Sequence, residues 1–378
     1  MKKSLQHLET IAIHAGMSDE QPPNSGIVPP LEPSTIFEHR PEGWKEGDWN
    51  YTRYSNPNRN QLEQVLAALE GGAEAVTFSS GVAAIGAVFQ ALPKGAHVLY
   101  PEDVYMGTRT LIREYADRWE LSFDAVDMTD LDAVEDATQP HTALLWLETP
   151  SNPLLHITDV KAITDIAKGK NIAVCADSTW PTPYNLRPLE LGADLVMHST
   201  TKYFSGHSDI LGGVVTGPPD SEWIARIRTI QQIQGAVPSP RDCWLLTRSI
   251  RTFPYRMRAH NEHAQRIAEF LDDHKQVEQV FYPGLSSHKG HEIAKNQMNG
   301  FGGMISFLIH GDAERALQVV AQSKLILRAT SLGGVESTWE HRKTSEGETS
   351  QTPDNLIRLS VGLEHPDDLI QDLREALN

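Results

Sequence analysis

The spacing of apolar residues predicts a helix at the start of the first regular part of the chain. From Asn58 onward, apolar residues recur at intervals of three and four, which is the spacing of one helix face. The pair Gly71-Gly72 ends this pattern, as glycine does at helix termini. The apolar positions are Leu62, Val65, Leu66 and Leu69. We therefore predict an amphipathic helix that ends at the glycine pair.

Short apolar runs follow this helix, and segments of helical length separate most of them. Such alternation is typical of a doubly wound α/β fold, in which helices cover a mostly parallel sheet. The predicted strands are 75–78, 97–100, 121–126, 143–147, 172–176 and 195–197. Because such sheets bind ligands at the carboxyl ends of their strands, residues that directly follow these runs are candidates for a site.

The pattern differs before residue 56. Residues 1 to about 55 contain several prolines and no sustained apolar period, so they cannot form a core of their own. They predict an extended arm, and a neighbouring subunit is the candidate surface on which it lies. The α/β domain then covers residues 56–243.

The pattern changes again after residue 217, where the alternation of strands and helices stops. A smaller C-terminal α+β domain is predicted for residues 244–378, with the boundary inside a long helix. The predicted elements are helices at about 221–232 and 239–272 and strands near 303–308 and 357–361. The polar stretch 344–352 predicts a mobile loop.

Composition narrows the range of partners. The 378 residues include 33 Lys and Arg against 50 Asp and Glu, and a net charge of -17 argues against binding to nucleic acid or an anionic membrane. Cys175 and Cys243 cannot build a disulfide framework and lack metal-ligand spacing, which indicates a reducing compartment and no metal centre. No segment resembles a signal peptide or a membrane span, so we expect a soluble, cytoplasmic protein.

One lysine lies in a segment suited to cofactor chemistry. Lys202 follows three hydroxyl residues, precedes the glycine turn at Gly206, and comes shortly after the apolar run 193–197. A Schiff-base lysine needs a rigid strand end to hold its amine and nearby hydroxyls to bind a phosphate. Taken alone, a hydroxyl-rich segment with one lysine is also typical of a solvated loop. Other motifs must therefore decide between a Schiff-base lysine and a loop.

Three further positions fit the same chemistry. Asp177 closes a predicted buried strand and could keep a pyridine nitrogen protonated. Residues 79–84 form a strand-to-helix turn whose free N–H groups suit an anion. Arg358 lies among apolar residues, where a charge requires a partner, and the carboxylate of an amino-acid substrate would be one. The alternative for Arg358 is a structural ion pair with a neighbouring acid.

Four motifs resemble those of the Cys/Met-metabolism, or transsulfuration, enzymes, which depend on pyridoxal phosphate (PLP). The motifs are Y-x-R-x-x-N-P at 51–57, E-T-P-S-N-P at 148–153, S-x-T-K-y-x-x-G-H-x-D at 199–209 and R-L-S-x-G-x-E at 358–364. The resemblance covers about residues 8 to 376 and is to the cystathionine γ-synthase and cystathionine γ-lyase type. It implies the PLP-dependent transferase fold of type I, with a large, mostly parallel seven-stranded sheet and a smaller C-terminal domain.

The resemblance also implies roles for individual residues. Lys202 would carry the cofactor and shuttle protons, Asp177 would stabilise the protonated ring, and Tyr105 would stack on it and assist catalysis. The other implied cofactor contacts are Gly81, Val82, Ser199 and Thr201 at the phosphate, Asn152 at the 3'-oxygen, and Thr179. The implied substrate contacts are Arg358, Ser331, Asn152 and Thr330. Tyr51 and Arg53 would reach the phosphate of a neighbouring subunit, which implies a catalytic dimer, paired into a homotetramer.

Four places depart from the family pattern, and one of them is Val82, which replaces a methionine. Ser178 replaces an asparagine, Thr330 replaces the glutamate of γ-synthases and γ-lyases or the tyrosine of β-lyases, and residues 338–343 replace P-A-x-x-T-H in a shortened segment. The resemblance as a whole implies γ-elimination or γ-replacement on a sulfur-containing or O-acylated amino acid, but the replaced residue at Thr330 removes the usual marker of the reaction. Cystathionine β-lyase and methionine γ-lyase activities remain open. A PLP-free binding protein on the same fold is the non-enzymatic alternative.

Overall fold

The computed structural model describes residues 7–17, 26–45, 47–347, 350 and 352–378. Parts of the predicted arm, and residues 348–349 and 351 of the predicted mobile loop, lie outside this description. The chain forms two sheets, one of seven strands and one of five.

The larger sheet contains the six strands predicted from the sequence and one more. Its strands are β1 Glu74–Phe78, β2 His97–Pro101, β3 Ser122–Val126, β4 Thr142–Glu148, β5 Ala173–Asp177, β6 Leu195–His198 and β7 Gly213–Gly217. Their order is β1-β7-β6-β5-β4-β2-β3, and only β7 runs antiparallel to its neighbours. The sequence interpretation missed β7 because this strand follows β6 without an intervening helix.

Helices cover both faces of this sheet. They are α2 Pro57–Glu70, α3 Gly81–Ala91, α4 Met106–Arg118, α5 Leu131–Ala137, α6 Val160–Gly169, α7 Thr182–Asn185 and α8 Glu222–Gln234, with a 3-10 turn at Pro188–Leu191. Side chains of β4 alternate between the two covered faces: Trp146 packs in the core with α3 and α8, and Leu145 in the core with α5 and α6. This alternation explains why the strand is a continuous apolar run.

The first predicted helix is confirmed, with clear signals at both ends. Asn56 precedes α2, and its side chain accepts a hydrogen bond from the N–H of Asn58 at 3.0 Å. Pro57 occupies the first turn, where its missing N–H costs nothing. Gly71 ends the helix with φ at 71°, a left-handed conformation that glycine adopts without strain.

The second sheet has the order β10-β11-β12-β9-β8. Its strands are β8 Val277–Phe281, β9 Met304–Ile309, β10 Leu327–Arg328, β11 Thr338–His341 and β12 Leu356–Ser360. The associated helices are α9 Pro240–Ile250, α10 Phe253–Asp272, α11 His291–Gln297, α12 Ala313–Gln322, α13 Arg342–Glu346 and α14 Pro366–Leu377. Helices α10, α12 and α14 contribute apolar side chains to its core. The sheet matches the predicted C-terminal α+β region.

Three predictions about local structure were wrong. The stretch 344–352 is in part helical rather than a loop, because α13 extends to Glu346. The helix predicted over 239–272 is two helices, because the chain breaks between Ile250 and Phe253, and the domain boundary near 244 remains a prediction. The predicted arm contains a helix, α1 Leu8–His14, which buries Ile11 and Ala12 in a core shared with α2. A helix of seven residues, about two turns, is too short for its period to stand out in the sequence.

The described part of the arm after α1 also contacts its own chain. The indole N–H of Trp244 donates to the carbonyl of Pro29 at 2.9 Å, and the side chain of Asn58 donates to Pro30 at 2.9 Å. Residues 26–45 are otherwise rich in exposed apolar side chains, including Ile27 and Ile36 at 82% and 72% exposure. Exposed apolar surface of this kind is common where another chain binds.

Among the described residues, no helix is both long and apolar enough to cross a membrane.

Candidate active site

A cavity of about 260 Å³ lies where the carboxyl ends of the large-sheet strands meet the second sheet. Because β1, β2, β4, β5 and β6 are mutually parallel, the residues that follow them converge on one edge. The predicted residues in the cavity wall are Gly81, Val82, Tyr105, Asn152, Asp177, Thr179, Ser199, Thr201, Lys202, Thr330, Ser331 and Arg358. Thus the structure brings together the predicted residues from both halves of the chain.

Lys202 connects the two sheets. Its Nζ donates a hydrogen bond to Oγ of Ser331 at 2.6 Å, although 129 residues separate them. Burial lowers the pKa of the Lys202 amine to about 8, and the nearby charges of Arg358 and Arg342 contribute to that shift. A substantial fraction of the amine is therefore neutral, and nucleophilic, at mildly alkaline pH.

Ser331 itself has an unusual backbone conformation, with φ at 80°. Left-handed φ values are uncommon for residues other than glycine, and such strain is often found at functional sites. Gly333 follows with φ at 78°, and a Cβ there would lie 2.8 Å from the backbone nitrogen of Tyr203. The loop that carries Ser331 is therefore packed directly against the lysine segment.

Asp177 ends β5 as a buried carboxylate. Its Oδ1 accepts hydrogen bonds from the N–H of Thr179 at 3.1 Å and from the Thr179 hydroxyl at 2.5 Å. The same hydroxyl oxygen accepts from the N–H of Ser199 at 2.9 Å, which joins the ends of β5 and β6. Burial raises the pKa of Asp177, and the Thr179 hydrogen bonds oppose this rise. A buried carboxylate in this position suits a cationic partner.

The start of α3 forms an anion cradle. Ser80 caps the helix by accepting from the N–H of Ala83 at 3.1 Å. The first N–H groups of a helix have no partner within it, so those of Gly81 and Val82 are suited to an anion. A Cβ at Gly81 would lie 2.9 Å from Cβ of Ser199, so only glycine permits this approach. Thr201 is fixed nearby, where its hydroxyl accepts from the N–H of Gly212 at 3.0 Å.

Tyr105 lies at the cavity mouth, 37% exposed, just before α4. Its ring lies over Gly107, where a Cβ would be only 2.3 Å from a ring carbon. The N–H of Tyr105 donates to Oε2 of Glu148 at 3.0 Å. Burial raises the pKa of Glu148 well above its ordinary value, and the charge of Asp177 raises it further. Glu148 begins the motif at 148–153, and the structure places it in the cavity wall.

Arg358 lies on β12 and is buried at the opposite side of the cavity. Its Nη1 donates to Oδ1 of Asn152 at 2.9 Å, and its Nη2 donates to Oε1 of Glu340 at 2.5 Å. Burial lowers the pKa of Arg358 to about 10, and nearby Arg342 also lowers it. The guanidinium carbon lies 6.0 Å from the ring centre of Trp180. The ion pair considered as the alternative for Arg358 is thus present, with Glu340 as its acid.

Sequence reasoning missed Glu340 and Arg342 as components of the site. Both belong to the segment that departs from the family pattern, and Arg342 lines the cavity. A signal was available, because residues 338, 340 and 342 share one face when the segment is extended. Strand β11 pairs with β12 so that Glu340 lies opposite Arg358. The pairing of these strands could not be read from the sequence.

Tyr51 and Arg53 do not reach the cavity of their own chain. Arg53 Nη1 donates to the carbonyl of Gln232 at 2.7 Å, near the end of α8. The guanidinium carbon lies 4.6 Å from the ring centre of Tyr54 and 5.4 Å from that of Tyr51. The proposed contact with a neighbouring subunit therefore remains a prediction.

The fold and the site define a PLP enzyme of fold type I, and comparison with known proteins gives the family. Residues 9–378 match the profile described as "Cys/Met metabolism PLP-dependent enzyme". The chain belongs to this family. The match confirms the family, the fold class, the enzyme class and the cofactor predicted from the sequence.

Relatives in the family differ in their named activities. The chain is 43% identical to cystathionine γ-synthase of Mycobacterium tuberculosis over 374 residues, covering 97% of this chain and 96% of that one. It is 42% identical to cystathionine β-lyase of Lactococcus lactis subsp. cremoris, covering 98% of each. The crystal structure of cystathionine γ-lyase from Lactobacillus plantarum, complexed with L-serine, aligns with a TM-score of 0.92 at 37% identity, covering 98% of each chain. Similar identities to proteins of different activity do not select one reaction.

Proposed function

We propose that this enzyme catalyses γ-elimination or γ-replacement on a sulfur-containing or O-acylated amino acid, with cystathionine or an activated homoserine as substrate. The observation that carries the proposal is the presence of Lys202 and Arg358 in one cavity, contributed by different sheets. An amino-acid substrate has a carboxylate for Arg358 and an amine that can exchange with that of Lys202. Relatives named cystathionine γ-synthase and cystathionine γ-lyase support the choice of reaction.

The cavity fits PLP. The buried carboxylate of Asp177 suits the protonated ring nitrogen, and Thr179 fixes that carboxylate by two hydrogen bonds. The close packing of Ser199 on Gly81 leaves the start of α3 as a cradle for the phosphate. When bound, PLP withdraws electrons from the substrate carbons next to its amine, which makes their protons removable.

We assign the other cofactor contacts as follows. The N–H groups of Gly81 and Val82 and the hydroxyls of Ser199 and Thr201 bind the phosphate. Tyr105 covers the ring at the cavity mouth. The side chain of Asn152, held by Arg358, contacts the ring oxygen.

Lys202 carries the cofactor between turnovers and then transfers protons. Its amine has a lowered pKa of about 8, so it can both accept and release a proton near physiological pH. In the proposed reaction, Nζ removes the proton from Cα of the substrate and serves Cβ in turn. The hydrogen bond to Ser331 holds Nζ towards the substrate side of the cavity.

The substrate occupies the side of the cavity formed by the second sheet. Arg358 binds the α-carboxylate, with Asn152 and Ser331 beside it. Thr330 lies at the exposed rim, where a longer side chain of the substrate would pass. A short hydroxyl residue there leaves room for several substrates, so Thr330 does not select among them.

The active unit is a dimer that assembles further into a homotetramer. The exposed apolar side chains of residues 26–45 support a second chain lying on this segment. Arg53 and Tyr51 would then complete the phosphate site of the partner. We retain the domain limits 56–243 and 244–378 and a cytoplasmic location as predictions, the latter supported by two free, buried cysteines.

A panel of substrates tests the proposed reaction on the holoenzyme. It contains cystathionine, methionine, homocysteine, cysteine, and O-acetyl- or O-succinylhomoserine with cysteine added. γ-Elimination of cystathionine yields cysteine and 2-oxobutanoate, whereas β-elimination yields homocysteine and pyruvate. Keto acids and thiols are therefore measured separately, and cystathionine formation reports γ-replacement.

We expect 2-oxobutanoate from cystathionine, cystathionine from the acylated homoserines, or both. Pyruvate and homocysteine as the main products would replace the proposal by a β-lyase. Methanethiol from methionine as the dominant reaction would indicate a methionine γ-lyase. Absence of all these products from protein with full cofactor content would reject the proposed class of reaction.

A further inference from the structure

A row of four charged side chains runs from α13 into the cavity. Oε1 of Glu346 accepts from Nε of Arg342 at 3.0 Å, and Nη1 of Arg342 donates to Oε1 of Glu340 at 2.9 Å. The same oxygen of Glu340 accepts from Nη2 of Arg358 at 2.5 Å. Both arginines line the cavity, and Arg342, Glu340 and Arg358 are buried. One carboxylate oxygen is therefore shared by two guanidinium groups.

This arrangement presents a difficulty for substrate binding. A carboxylate already lies on the guanidinium of Arg358, so the α-carboxylate of a substrate must bind beside a like charge. Two parallel hydrogen bonds between Glu340 and Arg358 would make the competition stronger, because such bidentate pairs are especially stable. Among the described residues, Oε2 of Glu340 is buried without a hydrogen-bond partner and is available for a second bond.

We propose that Arg342 is a positioning residue that prevents Glu340 from closing onto Arg358 and so keeps Arg358 available to the substrate carboxylate. This inference rests on the proposed role of Arg358. Arg342 can hold Glu340 because it has an independent anchor in Glu346. The carboxylate of Glu346 is in turn fixed by the hydroxyls of Ser350 and Thr352, at 2.5 and 2.7 Å.

The net charge of Arg342, Glu340 and Arg358 also favours a role for Arg342 in keeping Arg358 available. With Arg342 present, two cations share Glu340, so the pair of arginines keeps a positive charge towards the cavity. Without Arg342, the charge of Glu340 falls on Arg358 alone and neutralises it. Removal of Arg342 is therefore expected to weaken the binding of carboxylates, and removal of both Arg342 and Glu340 to restore it.

The test measures the binding of two small amines to the holoenzyme by titrating the cofactor absorbance and, separately, by calorimetry. Glycine has a carboxylate and methylamine has none, so their comparison isolates the carboxylate contribution. For Arg342→Gln we expect the affinity for glycine to fall roughly tenfold relative to that for methylamine, the usual scale for one charge-assisted contact, because any change in the Lys202 amine affects both amines alike. Lys343→Gln is the matched control, since it removes a neighbouring cation that pairs with Asp354 outside the cavity.

The double variant Glu340→Gln with Arg342→Gln distinguishes positioning from general structural support. We expect its glycine affinity to return to within about threefold of the wild type, a difference under 1 kcal/mol. A double variant as weak as Arg342→Gln, or weaker, would overturn the inference. So would unchanged glycine binding in the Arg342→Gln variant.

Glu340→Gln alone keeps the inference testable if Arg342→Gln fails to fold. It should bind glycine more tightly than the wild type, because a competing charge is gone, whereas a purely structural role for Glu340 predicts weaker binding. Arg358→Gln tests the carboxylate-binding role of Arg358 separately from the positioning role of Arg342. If it leaves glycine binding unchanged, the proposed role of Arg358 is wrong. If it weakens glycine while Arg342→Gln does not, only the present inference is wrong.

Discussion

The two walls of the cavity are built differently. The cofactor wall consists of Gly81, Asp177 and Lys202 with their neighbours, each at the end of a strand or shortly after it, in one mostly parallel sheet. The substrate wall consists of Arg358, Arg342 and the Glu340 that both arginines bind, which belong to the mixed second sheet and the start of α13. On the cofactor wall, chemistry follows from where strands end. On the substrate wall, it depends on which strands pair and in which register.

The walls also differ in how they tolerate charge. Asp177 and Glu148 are buried carboxylates of the cofactor wall, and each accepts a hydrogen bond from a backbone N–H, with a hydroxyl donor added at Asp177. The substrate wall instead balances two arginines against two glutamates. Buried ion pairs are costly to break, because removing one partner leaves the other desolvated and unpaired. Substrate binding is therefore expected to be sensitive to a single charge change on the substrate wall. Turnover is expected to be most sensitive to loss of the Lys202 amine on the cofactor wall.

The largest effect is expected at the centre of the cofactor wall. Lys202→Ala should abolish turnover and the visible absorbance that borohydride reduces, while the fold remains intact, because among the described residues no other lysine lines the cavity. Activity assays, absorbance spectra and circular dichroism check this prediction. Lys161→Ala removes an exposed lysine that pairs with Asp165 and should change none of them. A reducible yellow species in the Lys202 variant would disprove the assignment.

The substrate wall gives the next largest effect. Arg358→Leu should weaken substrate binding by about 2 to 5 kcal/mol, or roughly 30-fold to several thousand-fold, because the α-carboxylate of the substrate loses its buried cationic partner. The affinity for the cofactor should fall much less, since the side-chain hydrogen bond that joins Arg358 to the cofactor wall goes to Asn152 and not to Asp177 or Lys202. The KM for amino acids and the Kd for the cofactor are measured in parallel. Arg266→Leu, at an exposed ion pair, serves as the control, and an unchanged KM at Arg358→Leu would place the carboxylate site elsewhere.

A third prediction concerns whether one chain completes the cofactor wall of another. Arg53→Ala and Lys202→Ala are each expected to be inactive as homomers. In a mixed dimer, one site combines an intact Lys202 with an intact Arg53 from the other chain, so one of the two sites should regain activity. The mixture is assayed after subunit exchange, with heterodimers verified by differently tagged chains. Verified heterodimers without activity would mean that Arg53 does not act across the interface.

The smallest expected effect is a change in the pKa of Lys202, on the cofactor wall, when a charge on the substrate wall is removed. The pKa of Lys202 is about 8 because of burial and because Arg358 and Arg342 are close. The neutral amine is the reactive form, so the rate at which apoprotein captures PLP should rise with pH up to about 8 and then level off. Arg342→Gln should move this transition to higher pH, because it removes one of the charges that lower the pKa. Stopped-flow absorbance measures the rate, and a transition that does not move would show that the walls are electrostatically independent.

Much of the cofactor wall could be predicted because its information is local. The apolar period before Gly71 and the run that precedes Asp177 both locate an element and its end. The same reasoning failed at 239–272, where two helices with compatible periods are joined by a short break. It also failed at β7, because this strand follows β6 without an intervening helix, so the alternation of strands and helices gave no sign of it.

By itself, the sequence determined the approximate ends of six strands of the large sheet, the end of α2 at Gly71, and the motif around Lys202, because each depends on residues that are close along the chain. Only the tertiary structure decided that Lys202 donates to Ser331, and that Glu340 lies opposite Arg358. These contacts join residues far apart in sequence, and they follow from the packing of two sheets and the register of two strands. The arrangement of the substrate wall therefore depends on tertiary contacts, while most residues of the cofactor wall can be identified from local sequence motifs.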